Sequence, residues 1–364
     1  MFKSVYISAV NCASPLGMDL ESNWDALMKG KSAIRCVDVG GIKEVYAATF
    51  SEPTVLLDES LSILENLLLQ VAQPLVVGRI LSERTGMILS TTKGNIDKLQ
   101  SGQVEAAELG RLADIVAKRL GIVTKPIVVS HACVSGVLAV SVAKRLIQMR
   151  QYDDVLVLAA DQVSEFVLSG FQSFQAMSSG PCRPFDAARN GVSLGEAVAA
   201  AWVTDRKSIS TIQILGEGAV NDANHISGPS RTGEGLVRSI KSAFQEADVK
   251  LDKVDLVSAH GTATLYNDEM EAIAFDRLGV SNTPIHSLKG YYGHTLGTSG
   301  LLELAIAIKS MEENILIPTI GFDTLGTSKY LNIIKSTEEK ALDYCLKTAS
   351  GFGGSNTAMI LKKI

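Results

Sequence analysis

Residues 126–150 read PIVVSHACVSGVLAVSVAKRLIQMR. Ile127-Val128-Val129 is a short β-branched apolar run, the pattern of a buried strand. Ser130-His131-Ala132-Cys133 follows. Small and apolar residues then recur at helical spacing through Ser135, Gly136, Val137, Ala139, Val140, Ala143, Leu146 and Ile147. Strand, sharp turn and helix form the unit of a layered α/β fold, and here a cysteine occupies the turn. The positive end of the helix favours thiolate over thiol, and a thiolate in a partly open turn is a nucleophile. The competing reading is a buried structural thiol. This stretch alone does not separate the two, so a base and an oxyanion site must come from elsewhere in the chain.

At 364 residues the chain suits two lobes or one large α/β unit. Hydrophobic residues make up 46%, enough for a large core. A net charge of −5 argues against nucleic-acid binding, which needs a basic surface. No apolar run reaches the roughly 18 residues of a membrane helix, so no span is expected. Polar residues interrupt the N-terminal MFKSVYISAVNCASPLG, which reads as a first strand rather than a signal peptide. Cys12, Cys36, Cys133, Cys182 and Cys345 lack CxxC or zinc spacing. They imply a cytoplasmic, reducing setting without disulfides or a metal.

In order, the pattern predicts a strand over 4–10, a turn at Ser14-Pro15-Leu16-Gly17 and a helix over 20–29 ended by Gly30. A long apolar helical stretch covers 56–77, with Pro74 expected to interrupt it. A buried strand over 85–90, a polar loop from Thr91 to Asn95 and an amphipathic helix over 103–120 follow. Residues 154–160 (DVLVLAA) form a fully buried strand, and the repeated strand–helix–strand spacing implies a parallel sheet covered on both faces. Gly170 to Gly180 reads as a loop, Arg183-Pro184-Phe185-Asp186 as a turn and 193–203 as a buried β element, which the pattern alone does not separate from a helix. Further strands are expected over 212–221, 254–260, 284–286, 347–352 and 357–362, and helices over 232–247, 268–278 and 300–311. Both halves then place reactive residues in strand–loop–helix units, a hint of duplication. No linker divides the chain, so one compact unit is expected.

His260 closes a predicted strand in Ser258-Ala259-His260-Gly261-Thr262-Ala263-Thr264. His294 sits in Lys289-Gly290-Tyr291-Tyr292-Gly293-His294, ahead of a helix. Both lie in glycine-rich loops at strand ends, where α/β sheets assemble sites. Either histidine alone reads as a solvated loop residue. Two histidines and a cysteine at three such points form a constellation for acyl transfer. A fourth point is Ser350-Gly351-Phe352-Gly353-Gly354-Ser355-Asn356. Its glycines either turn backbone N–H groups towards a ligand, as half of an oxyanion hole, or simply make a tight hairpin turn.

These four points, in this order, resemble the β-ketoacyl-acyl carrier protein synthase family of the thiolase fold, most closely its elongating Cys-His-His type. The likeness covers nearly the whole chain. Val5 to Gly17 with Trp24, Leu27, Gly30 and Lys31 resembles the family's opening, and Ala132-Cys133-Val134-Ser135-Gly136 its nucleophile motif. Arg183-Pro184-Phe185-Asp186 with Gly191 and Gly195-Glu196 resembles its central signature. His260 to Thr264 with Asn267-Asp268 resembles the first histidine motif. Lys289 with Gly293-His294, Gly297, Gly300 and Glu303 resembles the second, and Gly351 to Asn356 the terminal loop.

The resemblance implies an α/β, thiolase-like fold of two pseudo-duplicated halves in a layered α-β-α-β-α arrangement. Residues 1–205 would carry the nucleophile, and 206–364 both histidines and the Gly-Phe-Gly-Gly loop. It implies an acyltransferase, a 3-oxoacyl-acyl carrier protein synthase. Such an enzyme joins malonyl-carrier protein to a Cys-bound acyl chain by decarboxylative Claisen condensation, in fatty-acid or polyene- or polyketide-type biosynthesis. Cys133 would carry the acyl chain. His260 and His294 would bind the malonyl thioester carbonyl and stabilise the enolate, with Lys289 and Glu303 orienting them. The N–H groups of Cys133 and Phe352 would hold the oxyanion, Phe352 would gate the site, and Thr262 and Thr264 would contact the phosphopantetheine arm. The family needs no cofactor of its own, because that arm arrives on the acyl carrier protein. The implied assembly is a homodimer, or a heterodimer with a related synthase subunit.

Ala263 stands for the family's Gly or Ser, Asn190 for its Asp and Ser350 for its aromatic residue. The region between Thr92 and Pro126 is shorter than in housekeeping members. In the family it helps build the dimer contact and the acyl-tunnel floor, so these departures leave chain length open and point towards a specialised pathway. A non-catalytic, chain-length-determining partner subunit would lack the cysteine. A degradative thiolase would carry a second cysteine in the terminal loop, whereas Cys345 precedes that loop. A Cys-His hydrolase would leave one histidine and Lys289 idle. His131, His225 and His286 read as structural or surface residues, and the other four cysteines as small packing residues. Lys118-Arg119, Lys144-Arg145 and Arg150 form a candidate basic patch for an acidic carrier protein, against the alternative of an ordinary solvated face.

Overall fold

The computed structural model describes residues 3–50, 58–222, 224–226 and 228–364. Ten strands join in one mixed sheet built from two groups of five. In the first group Ile127–Val129 lies at the edge, parallel to Thr85–Ser90, which is parallel to Asp154–Asp161. Ala197–Thr204 and then Val5–Ala13 add antiparallel. In the second group Ile285–His286, Leu256–Ser258 and Tyr344–Gly351 are successively parallel. Ser355–Lys363 and then Ile212–Asn221 add antiparallel. The groups meet where Val5–Ile7 pairs with Ile212–Ile214. The same series of pairings therefore occurs twice.

The all-parallel sheet expected from the spacing is corrected. A strand that returns through a short turn must run antiparallel, as Ser355–Lys363 does after the Gly353-Gly354 turn. A strand buried on both faces reads as an apolar run in either direction.

Successive side chains point to opposite faces, and the cores follow that rule. Val155, Val157 and Ala159 face the inner core, while Leu156, Leu158 and Ala160 face an outer one. The inner core is shared by both strand groups and by helices Ser135–Gln148 and Ser299–Glu313. These two helices touch at glycine. A Cβ on Gly136 would lie 2.5 Å from the Leu301 nitrogen, and one on Gly300 2.8 Å from that of Val137. The close approach brings together the turns just ahead of both helices, which carry Cys133 and His294. Ile63–Val76 and Leu109–Leu120 cover one outer face, and Glu234–Ala247 and Leu265–Leu278 the other. The layer order is α-β-α-β-α. No described helix is long and apolar enough to cross a membrane.

Several local expectations shift. The 56–77 helix begins at Ile63, where Ser62 and Glu65 form a capping box, and residues 56 and 57 lie outside those described. Pro74 does not interrupt it. The ring sits in the last turn, and the Val77 N–H still closes on the Gln73 carbonyl at 3.0 Å. The 103–120 helix breaks at Glu108, leaving a 3-10 turn at Val104–Ala107 and helix Leu109–Leu120. The 170–180 loop starts as helix Glu165–Ser173, capped by Ser164. The hairpin of Arg35–Val39 with Ile42–Ala48 had no counterpart in the sequence analysis; Arg35, Asp38, Lys43 and Glu44 interrupt its apolar residues.

Candidate active site

Ala132 takes a φ of +47°, a left-handed turn uncommon for a residue with a side chain. Cys133 follows it directly, ahead of helix Ser135–Gln148. The Ser135 hydroxyl accepts the His131 N–H at 2.7 Å and donates to the Ala132 carbonyl at 2.6 Å, which fastens the turn. The terminal loop packs on this elbow. A Cβ on Gly351 would lie 3.1 Å from the Cys133 nitrogen and crowd it.

Cys133, His260, His294 and Phe352 line one pocket of about 410 Å³, and Thr262, Thr264, Asn190 and Ser350 share its wall. The two imidazoles meet edge to face, 5.2 Å apart. Phe352 stacks on Phe171 at 5.6 Å and meets Phe174 edge-on at 5.3 Å. Phe171 in turn lies 6.4 Å from the His294 ring, so an aromatic cluster covers this side of the pocket. Thr264 caps helix Leu265–Leu278, and its hydroxyl lies 2.8 Å from that of Thr262.

Hydrogen-bond partners fix the imidazole tautomers. The Lys289 ammonium lies 3.4 Å from His260 Nδ1. An ammonium only donates, so Nδ1 accepts and the ring proton sits on Nε2. His294 Nδ1 lies 3.0 Å from the Ser299 hydroxyl, whose two lone pairs accept the Thr295 N–H at 3.2 Å and the Thr295 hydroxyl at 3.3 Å, so it gives its own proton to the ring. Both rings thus carry Nε2–H. Burial first, and then Lys289, push both histidines well below their usual range, so both are neutral.

Lys289 is held in turn. Its ammonium donates to the His260 carbonyl at 2.8 Å and to Glu303 Oε1 at 2.5 Å. Burial works against ionisation of Glu303, but Lys289 and Lys347 outweigh it and hold the carboxyl below its ordinary range. Glu271 accepts the N–H groups of His260 and Gly261 at 2.8 and 2.6 Å. Asp161 accepts those of Thr92, Lys93 and Gly297 at 2.9, 3.2 and 2.8 Å, tying the polar loop to the turn before the His294 helix. Lys347, Glu271, Asp161, Phe171 and Phe174 were not singled out from the sequence.

Burial opposes the thiolate that the helix end favours at Cys133. Burial pushes its thiol up to about 11, outweighing Lys289 and the Phe352 N–H that points at the sulfur. Alkylation of the resting protein by iodoacetamide should therefore accelerate about tenfold per pH unit from neutral pH towards pH 10. A plateau near pH 7 would show a stabilised thiolate instead.

His131 is exposed, and its Nε2 lies 2.5 Å from the Ser355 hydroxyl, so its hydrogen bond goes to a serine and not to the Cys133 sulfur. His286 is fully buried, and His225 lies at the mouth of the pocket. Cys12, Cys182 and Cys345 are buried as expected, whereas Cys36 is exposed. Within the proposed basic patch Lys118 and Arg150 are exposed, while three members meet carboxylates. Lys144 is buried against Glu246, Arg145 binds Glu217 at 2.5 Å, and Arg119 binds Asp58 at 2.7 Å. Ala263 adopts a φ of +64°, a conformation that favours glycine, and Ser350 donates to Asn356 at 2.8 Å within the pocket wall.

Comparison with known proteins agrees with this layout. The beta-ketoacyl synthase N-terminal domain matches residues 75–208, and the beta-ketoacyl synthase C-terminal domain matches 212–323. The chain belongs to the beta-ketoacyl synthase family, whose relatives include fatty-acid and polyketide types. It is 25% identical to 3-oxoacyl-(acyl-carrier-protein) synthase 2 of Coxiella burnetii over 409 aligned residues, covering 100% of this chain and 99% of that protein. Against the namesake from Rhizobium meliloti it is 29% identical, over 70% of this chain and 65% of the other. The structure matches the ketosynthase ApeO in complex with its chain length factor ApeC from Xenorhabdus doucetiae, with a TM-score of 0.90 and 25% identity over 100% of this chain and 98% of that one. The type II polyketide ketosynthase complex AntDE:AntF shares the fold at a TM-score of 0.90 and 20% identity, over the full length of both chains.

Proposed function

We propose that the chain is a 3-oxoacyl-acyl carrier protein synthase that extends an acyl chain on Cys133 by decarboxylative condensation with malonyl-carrier protein. The observation that carries this reading is the meeting, in one pocket, of a cysteine with two imidazoles whose Nδ1 atoms face the Lys289 ammonium and the Ser299 hydroxyl, which leaves Nε2–H for a ligand. Residues 1–205 supply the nucleophile, and 206–364 supply both histidines and the terminal loop.

In the first half-reaction the Cys133 sulfur attacks an acyl thioester. The N–H groups of Cys133 and Phe352 stabilise the oxyanion, and the thiol proton ends on the departing phosphopantetheine sulfur. Protonated Cys133 suits this exchange, because proton and acyl group move in opposite directions and no net charge is created. Thr262 and Thr264 line the path of the incoming arm.

In the second half-reaction the malonyl thioester oxygen accepts from Nε2–H of His260 and His294. The carbon–carbon bond to the carboxylate breaks, CO2 leaves, and its electron pair forms the enolate. The enolate carbon attacks the acyl carbonyl on Cys133. The sulfur leaves as thiolate and regains a proton from water, so each turnover consumes one proton. Neutral histidines serve here because their N–H groups stabilise the growing negative charge without repelling a proton donor or holding the malonyl carboxylate as an ion pair.

The test is CO2 release from malonyl-carrier protein. The intact protein should release CO2, and His294→Ala should lower kcat by about 100- to 1,000-fold, the cost of losing one oxyanion donor. CO2 release unchanged in His294→Ala would remove the assigned role.

A further inference from the structure

Lys347 belongs to none of the family-like motifs, yet its ammonium lies directly behind His260. The side chain is fully buried on strand Tyr344–Gly351. Four oxygens surround its nitrogen: Glu303 Oε2 at 2.6 Å and the carbonyls of Thr348, Ser258 and Ala259 at 2.8, 3.1 and 3.4 Å. Lys289 takes the next carbonyl, that of His260, and the other oxygen of Glu303. Two ammoniums bridged by one carboxylate thus grip three consecutive carbonyls of the segment that carries His260. Glu271 holds the N–H groups that follow. A buried ammonium is unfavourable unless oxygens replace its water, and here three of the four, those of Glu303, Ser258 and Ala259, belong to the His260 support.

We infer that Lys347 is a positioning residue for His260. It supplies the second positive charge of the buried cluster and shares Glu303 with Lys289. That sharing keeps Lys289 on His260 Nδ1 and the ring proton on Nε2. The relevance to turnover rests on the condensation reading, whereas the effect on the ring does not. The charged and titratable groups around Lys347 are Glu303, Glu271, Lys289, His260, His286 and Cys345. Two ammoniums face two carboxylates, and His286 is held neutral, pushed down to about 4 by burial and then Lys347.

Lys347→Met keeps the length and deletes the charge. The excess negative charge then draws Lys289 towards Glu303 and away from Nδ1. His260 also loses a positive neighbour that holds its pKa down, behind burial, Lys289 and His294. A raised histidine pKa means that the neutral form disappears at higher pH than before, so the acid limb of CO2 release moves up.

The experiment compares the full chain with Lys347→Met by 15N NMR of the imidazoles from about pH 5 to 8, the window in which histidine protonation is read. In the unsubstituted chain His260 should stay neutral with Nε2–H, and in Lys347→Met it should titrate at higher pH. CO2 release by the variant should fall roughly 100-fold at the acid end, the scale of loss from a misplaced reacting group. The circular dichroism and urea midpoint of the variant should stay close to those of the unsubstituted chain, which is the control for folding. Lys347→Ala should regain CO2 release with added ammonium chloride but not sodium chloride, because ammonium fits the vacated oxygens. Identical His260 titration in Lys347→Met, or no selective rescue by ammonium, overturns the inference. So does an Nδ1–H tautomer in the unsubstituted chain, whatever the variants do. Absence of CO2 release by the unsubstituted chain would instead remove the condensation reading and leave the NMR comparison standing.

Discussion

Cys133→Ala is expected to lose condensation by on the order of 10⁶-fold, the scale seen when a covalent nucleophile is deleted, while CO2 release from malonyl-carrier protein continues. The asymmetry follows from what holds each group. His260 is set by Lys289 and Glu271, and His294 by Ser299, so neither imidazole depends on the sulfur. The elbow also survives the change. Its conformation is fixed by Ala132 and the Ser135 hydroxyl, and alanine keeps the Cβ that packs against Gly351. Intact mass after incubation with acyl-carrier protein reads the first half-reaction, since the unsubstituted chain gains the acyl group and the variant gains nothing. Trapped CO2 reads the second. Normal condensation by Cys133→Ala would place the acyl chain elsewhere and sink the mechanism.

The grouping of Cys133, His260 and His294 was legible because each member sits in a short local pattern. Cys133 lies between a β-branched run and a small-residue helix, and His260 and His294 lie in glycine-rich turns at strand ends. Those turns are where backbone geometry limits residue choice, so their spelling is specific. The α/β layering was legible for a related reason. Runs such as DVLVLAA are apolar on both faces, and only a sheet covered on both sides accepts them. Strand direction was not legible from the same runs, because nothing in a doubly buried strand distinguishes a parallel neighbour from an antiparallel one.

What the sequence did not yield depends on residues far apart along the chain. Lys347 occurs in Cys345-Leu346-Lys347-Thr348-Ala349, where a lysine on a strand ordinarily marks a solvated face. Its counter-ion, Glu303, is 44 residues away on another element. The thiol of Cys133 looked activated because the helix end is local, whereas the burial that opposes it comes from the folded surroundings, which no local pattern reveals. The basic pairs were only partly legible for the mirror-image reason, since Glu246, Glu217 and Asp58 meet Lys144, Arg145 and Arg119 from segments that adjacency in sequence does not reveal.

Glu303→Leu is expected to destabilise the fold by about 3–5 kcal/mol at neutral pH, the loss that follows when one partner of a buried ion pair is removed. The change leaves Lys289 and Lys347, both fully buried, without the carboxylate they share. Among the described residues no other carboxylate replaces it. Glu271 is engaged by the His260 and Gly261 N–H groups, and burial already raises its pKa. The variant can relieve the strain by burying a lysine without its proton, the direction in which burial already pushes Lys347. In that case the unfolded chain binds more protons than the folded one, and stability rises with pH until the unfolded lysine itself titrates. Urea unfolding at neutral pH and near pH 9.5 should therefore show a penalty that shrinks on going alkaline. Stability equal to that of the unsubstituted chain at neutral pH would mean that the carboxylate is not the keystone of the cluster. A large penalty that ignores pH would mean that both ammoniums keep their protons and that the backbone carbonyls around them, rather than Glu303, carry the site.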